Sequence, residues 1–218
     1  MPSNRSHRLP LDLFPLHTVL FPSDRLPLHI FEPRYRMMIQ ACVDHERPFG
    51  VVLIRSGREV GPPADPCTVG TTARIVRHTR LADGRMNIEA VGEDRFRINH
   101  MDQVEPHLTA HVTIDPMPTV NSSAVAIAAA HLRREYHEAI GLVLELQGAY
   151  DTATPLPKAP EHLAYHIASH LPTDTQTRQQ LLESATVDQL LTAEASLVHT
   201  FADKLKQQVA DRQAVRLN

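Results

Sequence analysis

The chain has 218 residues, 42% hydrophobic and 22% charged, with a formal net charge of −3. That length buries a sizeable core as one large domain or two small ones, and the composition excludes global disorder. Aromatic residues make up 5%, Trp is absent, and neither half carries an excess of Lys and Arg over acidic residues, which disfavours a nucleic-acid surface.

Prolines at 10, 15, 22 and 27 interrupt the apolar residues between Leu9 and Phe31. Proline cannot donate to a sheet ladder, so this stretch predicts short strands or edge segments with irregular links. Leu26, Leu28 and Ile30 alternate with Pro27 and His29, the pattern of a half-buried strand. Glu32-Pro33 then reads as a helix start, because proline suits the first turn and an acid suits the positive end of the helix dipole. Tyr35, Met38, Ile39 and Cys42 follow at 3–4 spacing as a buried stripe, with Arg34, Arg36 and Gln40 expected to face water.

The apolar run Phe49 to Ile54 predicts a central strand, and Ser56 to Asp65 a loop. Thr71 to Leu81 is strand-like, Asp83-Gly84 is a hairpin turn signal, and Met86, Ile88 and Ala90 lie on the return strand. A turn is expected at Gly92, with Phe96 and Ile98 continuing the pattern beyond it. Leu108, Ala110, Val112 and Ile114 alternate again. Short strands with turns between them predict a small barrel or curled sheet.

Beyond Pro116 and Pro118 the texture becomes helical. Asn121 or Ser122 caps a helix running to about Gln147. A Pro-rich link at 154–160 precedes a short helix from Glu161 to Leu171, stopped before Pro172. Thr173 or Asp174 caps the next helix. Thr186-Val187-Asp188-Gln189 fits the capping-box pattern and opens the last one, whose apolar stripe is Leu190, Leu197, Phe201 and Leu205. Fraying is expected beyond Asp211. The predicted organisation is a β-rich subdomain over 1–118 and a helical-bundle subdomain over 119–218.

No phosphate loop, dinucleotide fingerprint, nucleophile elbow or H-E-x-x-H motif is present, so the expectation is a chain without catalytic residues or cofactors. The two cysteines, Cys42 and Cys67, have no metal-ligand spacing and cannot form a disulfide framework. The polar stretch Met1 to Arg8 has no apolar signal core, and no apolar run reaches the about 20 residues of a membrane helix. A cytoplasmic protein with no membrane partner is expected.

Three constellations carry chemistry in principle. His162, His166 and His170 stand at i, i+4 and i+8 on one predicted helix, where two imidazoles can share a metal. The competing reading is a solvated flank beside Leu163, Ile167 and Leu171, and no metal site is assigned. Arg74, Arg77 and Arg80 cluster on one strand; a charged strand face is ordinarily a solvated sheet surface. Phe31, Arg34, Tyr35 and Met38 combine aromatic, basic and thioether groups suited to an adaptable peptide contact, although Tyr and Met at helical spacing more often belong to a core.

The stretch LPLDLFPLHTVLFPSDRLPLHIFEPRYRMMIQAC at 9–42 resembles the opening of the Lon protease N-terminal (substrate-binding) domain family. There a P-L-F-P-L-x-x-V-L-F-P-x-x-x-L-P-L-x-I-F-E-x-R-Y segment leads into a helix. FGVVLI at 49–54, VGTTARIVRHTRLADGRMNIEAVGEDRFRI at 69–98 and SHLPTDTQTRQQLLE at 169–183 continue the resemblance, which spans roughly residues 9–205. One departure is His17, where free-standing bacterial members often have Gly. The resemblance implies an α+β fold: a six-stranded, PUA-like β pseudo-barrel with one helix, followed by a C-terminal helical bundle. It also implies a non-catalytic protein- or peptide-binding module without the ATPase and Ser-Lys peptidase of full-length Lon. The partners so implied are unfolded or damaged proteins in protein quality control, a protease partner and further copies of the chain. The alternative is an RNA- or nucleotide-binding PUA-like module, by analogy of fold.

Overall fold

The computed structural model describes residues 8–61, 64–103, 106–149 and 155–216. The polar stretch at 1–7, the two prolines of the 56–65 loop and the first residue of the Pro-rich link lie outside them. Among the described residues the architecture is α+β, with one mixed six-stranded sheet and five helices. The strands are β1 (Arg8–Leu16), β2 (Arg25–Ile30), β3 (Phe49–Ser56), β4 (Asp65–Arg80), β5 (Met86–Gln103) and β6 (Thr109–Ile114). The helices are α1 (Pro33–Asp44), α2 (Ser122–Gln147), α3 (Pro160–His170), α4 (Thr175–Leu182) and α5 (Val187–Arg216).

The sheet runs β2-β5-β4-β3-β1-β6 and closes through a further β5–β6 pairing. Closure depends on the length of β5: its first half pairs with β2 and its second half with β6, while β4 occupies the opposite edge. Five strands therefore form a ring and β2 extends it. β1 divides its pairing similarly, with Arg8–Asp12 antiparallel to β6 and Leu13–Leu16 parallel to β3. Pro10 and Pro15 each fall in a one-sided half, where a missing N–H breaks no ladder.

Neighbouring residues of β1 and β3 feed two separate cores. Phe14 and Val51 join Tyr35, Met38, Ile39 and Cys42 of α1, while Leu13 and Val52 pack with Phe96, Ala110 and Val112. The continuous apolar run in β3 is thus explained: both faces of that strand are buried.

The expected turn at Gly92 is not a turn. β5 passes through it unbroken, with a register shift against β4 between Thr71 and Ala73. A Cβ at Gly92 would lie 2.2 Å from the Phe21 carbonyl oxygen, so the residue is glycine because another backbone approaches closely. His17 needs no glycine: the non-glycine residues with positive φ among those described are Ser23 and Glu46.

The helical boundaries follow local chemistry. Asn121 Oδ1 accepts from Ala124 N at 3.0 Å to start α2, and Asp174 Oδ1 accepts from Thr177 N at 2.8 Å to start α4. Gly148, with φ 68°, ends α2 in the left-handed region. Thr186 Oγ1 accepts from Gln189 N, and the Gln189 carboxamide reaches back to Ala185 N rather than to Thr186. α5 continues past Asp211 to Arg216, with the Arg212 guanidinium donating to the Leu146 carbonyl.

The chain divides into two compact units, 1–116 with 173–183, and 117–172 with 184–218. The first holds the sheet, α1 and α4. In the second, Ala139 of α2 packs with Ala202 and Leu205 of α5, and α3 buries Leu163, Ala164, Ile167 and Ala168. No helix among the described residues is long and apolar enough to cross a membrane.

Candidate functional site

The entry into α1 arises from three local preferences. Glu32 is extended at the N-cap, Pro33 supplies the first turn, and the stripe behind them turns inward. Tyr35 and Met38 lie in the core, Tyr35 with its ring 4.2 Å from that of Phe14. Burial raises the Tyr35 phenol above its usual range. Neither side chain presents a free surface. Arg34 does not face water as expected: it pairs with Glu32 at 3.0 Å, donates to the Glu59 carbonyl and lies 4.6 Å from the Tyr35 ring centre. Phe31, just before α1, is 48% exposed, and Met37, on α1, is 60% exposed. Sequence reasoning missed Met37, although its place between the inward positions Tyr35 and Met38 is a legible signal.

A groove of about 490 Å³ runs beside α1, lined by Arg36, Met37, Gln40, Asp44, Arg80 and Met86. Arg36 closes one end by lying against the Gly84 turn. Of the two exposed apolar side chains, Met37 lines this groove, whose walls are mixed in polarity.

The open edge of β2 is poorly suited to capturing a peptide as an added strand. Gly92 N donates to the Asp24 carbonyl, so residues 25, 27 and 29 occupy non-bonded ladder positions with their amides turned outward. Arg25 N is taken by Asp24 Oδ1 at 2.8 Å, and Pro27 has no N–H. His29 alone keeps an outward donor among these three, and such edges resist pairing.

Two of the three clustered arginines are engaged in surface ion pairs. Arg74 pairs with Glu93, and Arg77 shares Glu89 with Arg25. A bulge between Ile75 and Arg77 also breaks the alternation that would put Arg74 and Arg80 on one face. His166 and His170 lie with ring centres 4.4 Å apart, and His170 Nδ1 turns to the His166 carbonyl at 2.8 Å. Among the described residues no group of three or more His, Cys, Asp or Glu side chains is placed to hold a metal ion. The Cys42 thiol is pushed up to about 11 by burial, which keeps it protonated and unreactive at neutral pH.

Residues 10–200 match the family model for the ATP-dependent protease La (LON) substrate-binding domain. A Lon protease of Paraburkholderia phytofirmans is 31% identical over 216 residues, covering 96% of this chain and 27% of that protein. A Lon protease of Anaeromyxobacter dehalogenans is 30% identical over 177 residues, 80% of this chain and 21% of that protein. The chain thus spans about a quarter of the length of these curated relatives. Two solved structures share its fold. The Lon N-terminal domain protein from Xanthomonas campestris has a TM-score of 0.61 at 24% identity, covering 86% of this chain and 98% of that one. The N-terminal domain of a Mycobacterium avium complex Lon protease has a TM-score of 0.63 at 18% identity, covering 88% and 98%. The chain belongs to the Lon substrate-binding domain family.

Proposed function

We propose that this chain is a non-catalytic module that binds unfolded or damaged polypeptides, working in the cytoplasm in protein quality control and alongside a protease partner. The observation that carries the reading is the family match over residues 10–200, and the exposed pair Phe31 and Met37 gives it a surface. In this reading Phe31 and Met37 touch the bound chain. Arg34, Tyr35 and Met38 hold the entry to α1 in place, Arg34 through Glu32 and the Tyr35 ring, Tyr35 and Met38 through the core. Contact is made through side chains rather than by strand addition at β2.

The test is titration of a permanently unfolded, fluorescently labelled model protein, with anisotropy as the readout. Binding at micromolar concentration is expected for the unmodified chain. The double variant Phe31→Ser/Met37→Ser should weaken it about tenfold, the scale of losing two apolar contacts. No binding by the unmodified chain would remove the reading.

A further inference from the structure

A second groove, of about 700 Å³, lies within the sheet-containing unit where α4 packs beside β3 and β4. Leu53 and Ile54 form an apolar wall, and Gln179 and Glu183 line the α4 side. Gln179 Nε2 donates to the Val69 carbonyl at 3.1 Å and to Glu183 Oε1 at 2.7 Å. Both partners only accept, so both amide hydrogens are committed and the carboxamide cannot be flipped. Its Oε1 is therefore fixed as an acceptor without a donor, on a side chain 5% exposed. A buried acceptor left unmet is costly and marks a place for an incoming N–H.

The charges of the groove select what brings that N–H. Arg55 lines it, but its guanidinium is held by Asp65 Oδ2 through two hydrogen bonds, at 2.9 and 2.6 Å. Glu183 has no cationic partner among the ion pairs of the described residues, so its negative charge stands uncompensated beside the unmet carbonyl. His17 and Cys67 complete the titratable lining. The Cys67 thiol is raised first by burial and then by Glu183, with Arg55 opposing them and Asp65 adding to them.

We propose that this groove binds a basic side chain of an extended polypeptide, with its ammonium or guanidinium between Glu183 and the Gln179 carbonyl and its methylene stem along Leu53 and Ile54. The source of the cation rests on the protein-binding reading; the groove chemistry does not. The donor-rich head supplies the missing hydrogen bond and the charge, and the stem matches the apolar wall.

The test uses two short capped peptides on the full chain, one with a single arginine and one with citrulline in its place. Citrulline keeps the shape and loses the charge. The arginine peptide should bind about tenfold more tightly, as a charge-assisted hydrogen bond requires. It should also shift the Gln179 side-chain amide resonances. Glu183→Gln retains an acceptor for Gln179, so its melting temperature should be unchanged while the preference for arginine disappears. Equal affinity for the two peptides, no binding of either at millimolar concentration, or a preference that survives Glu183→Gln would each overturn the proposal. An arginine preference in a chain that ignores unfolded proteins would support the groove and remove the protein-binding reading. Binding of unfolded proteins without the preference would remove the groove alone.

Discussion

The two compact units treat buried ionisable groups in opposite ways. In the sheet-containing unit, Arg95 is 3% exposed and fully engaged: Nε donates to the Asp115 carbonyl at 2.7 Å, Nη1 to the Leu182 carbonyl at 3.0 Å, and Nη2 to Asp115 Oδ2 at 3.0 Å. In the helical unit, Glu194 is 0% exposed and neither carboxylate oxygen has a hydrogen-bond partner. Burial raises its pKa well above the ordinary carboxylate value; the Ala168 amide offsets part of that without meeting hydrogen-bond geometry. A buried charge persists where carbonyls and a counter-ion surround it, and where they are missing the group keeps its proton. Asp12, in the sheet-containing unit, extends the contrast. The His107 hydrogen bond, assisted by the charges of His107 and Arg47, outweighs burial and holds its pKa below the ordinary value.

The largest effect that would break this comparison is at Arg95. Arg95→Ala leaves the Asp115 and Leu182 carbonyls without their donor, leaves the Asp115 carboxylate only the longer Arg97 contact at 3.4 Å, and loosens α4 through Leu182. Losing these charge-assisted hydrogen bonds should cost about 3–5 kcal/mol in denaturant unfolding, and a loss under about 1 kcal/mol would show that the network is dispensable. Glu194 comes next, and its sign is fixed by its raised pKa. The folded state holds the proton more tightly, so the Glu194 contribution to stability is fully present below about pH 4.5 and is lost as pH rises through the folded pKa. The slope should approach about 1.4 kcal/mol per pH unit inside that window, and Glu194→Gln should flatten it. Asp12 has the reverse sign: its contribution is present above the ordinary value of 3.8 and lost as pH falls. A stability profile of the unmodified chain that is flat above pH 4.5 would contradict the assignment for Glu194. The smallest effect belongs to the contact surface. Phe31→Ser/Met37→Ser should change stability by no more than about 0.5 kcal/mol, because neither side chain is in the core.

Much of the fold was legible because it is written locally. Pro33 and the 35/38/39/42 spacing predict α1 and its buried face, and Asn121, Asp174 and Thr186 mark the helix starts they cap. What was not legible depends on distant partners. Gly92 reads equally as a turn or as a close approach, and only Phe21 decides between them. The parallel pairing of β1 with β3 and the closure of β5 on β6 leave no mark in either strand alone. The return of residues 173–183 to the sheet-containing unit is equally silent, since α4 has one short face and its anchor is the carboxamide of Gln179.

The candidate site was legible in part. Phe31 is exposed, while Tyr35 and Met38 went to the core that their spacing also allowed. Glu194 left a readable trace that the stripe of Leu190, Leu197, Phe201 and Leu205 passed over. It stands four residues after Leu190 and four before Val198, both fully buried, so a carboxylate occupies an apolar position.

The central claim, that polypeptide is bound by the sheet-containing unit through the α1 entry, is tested most directly by amide hydrogen exchange with and without a saturating unfolded protein. Added protection over residues 29–45, with the helices α2, α3 and α5 unchanged, is the result expected. Protection confined to those three helices, or no change over 29–45, would contradict it.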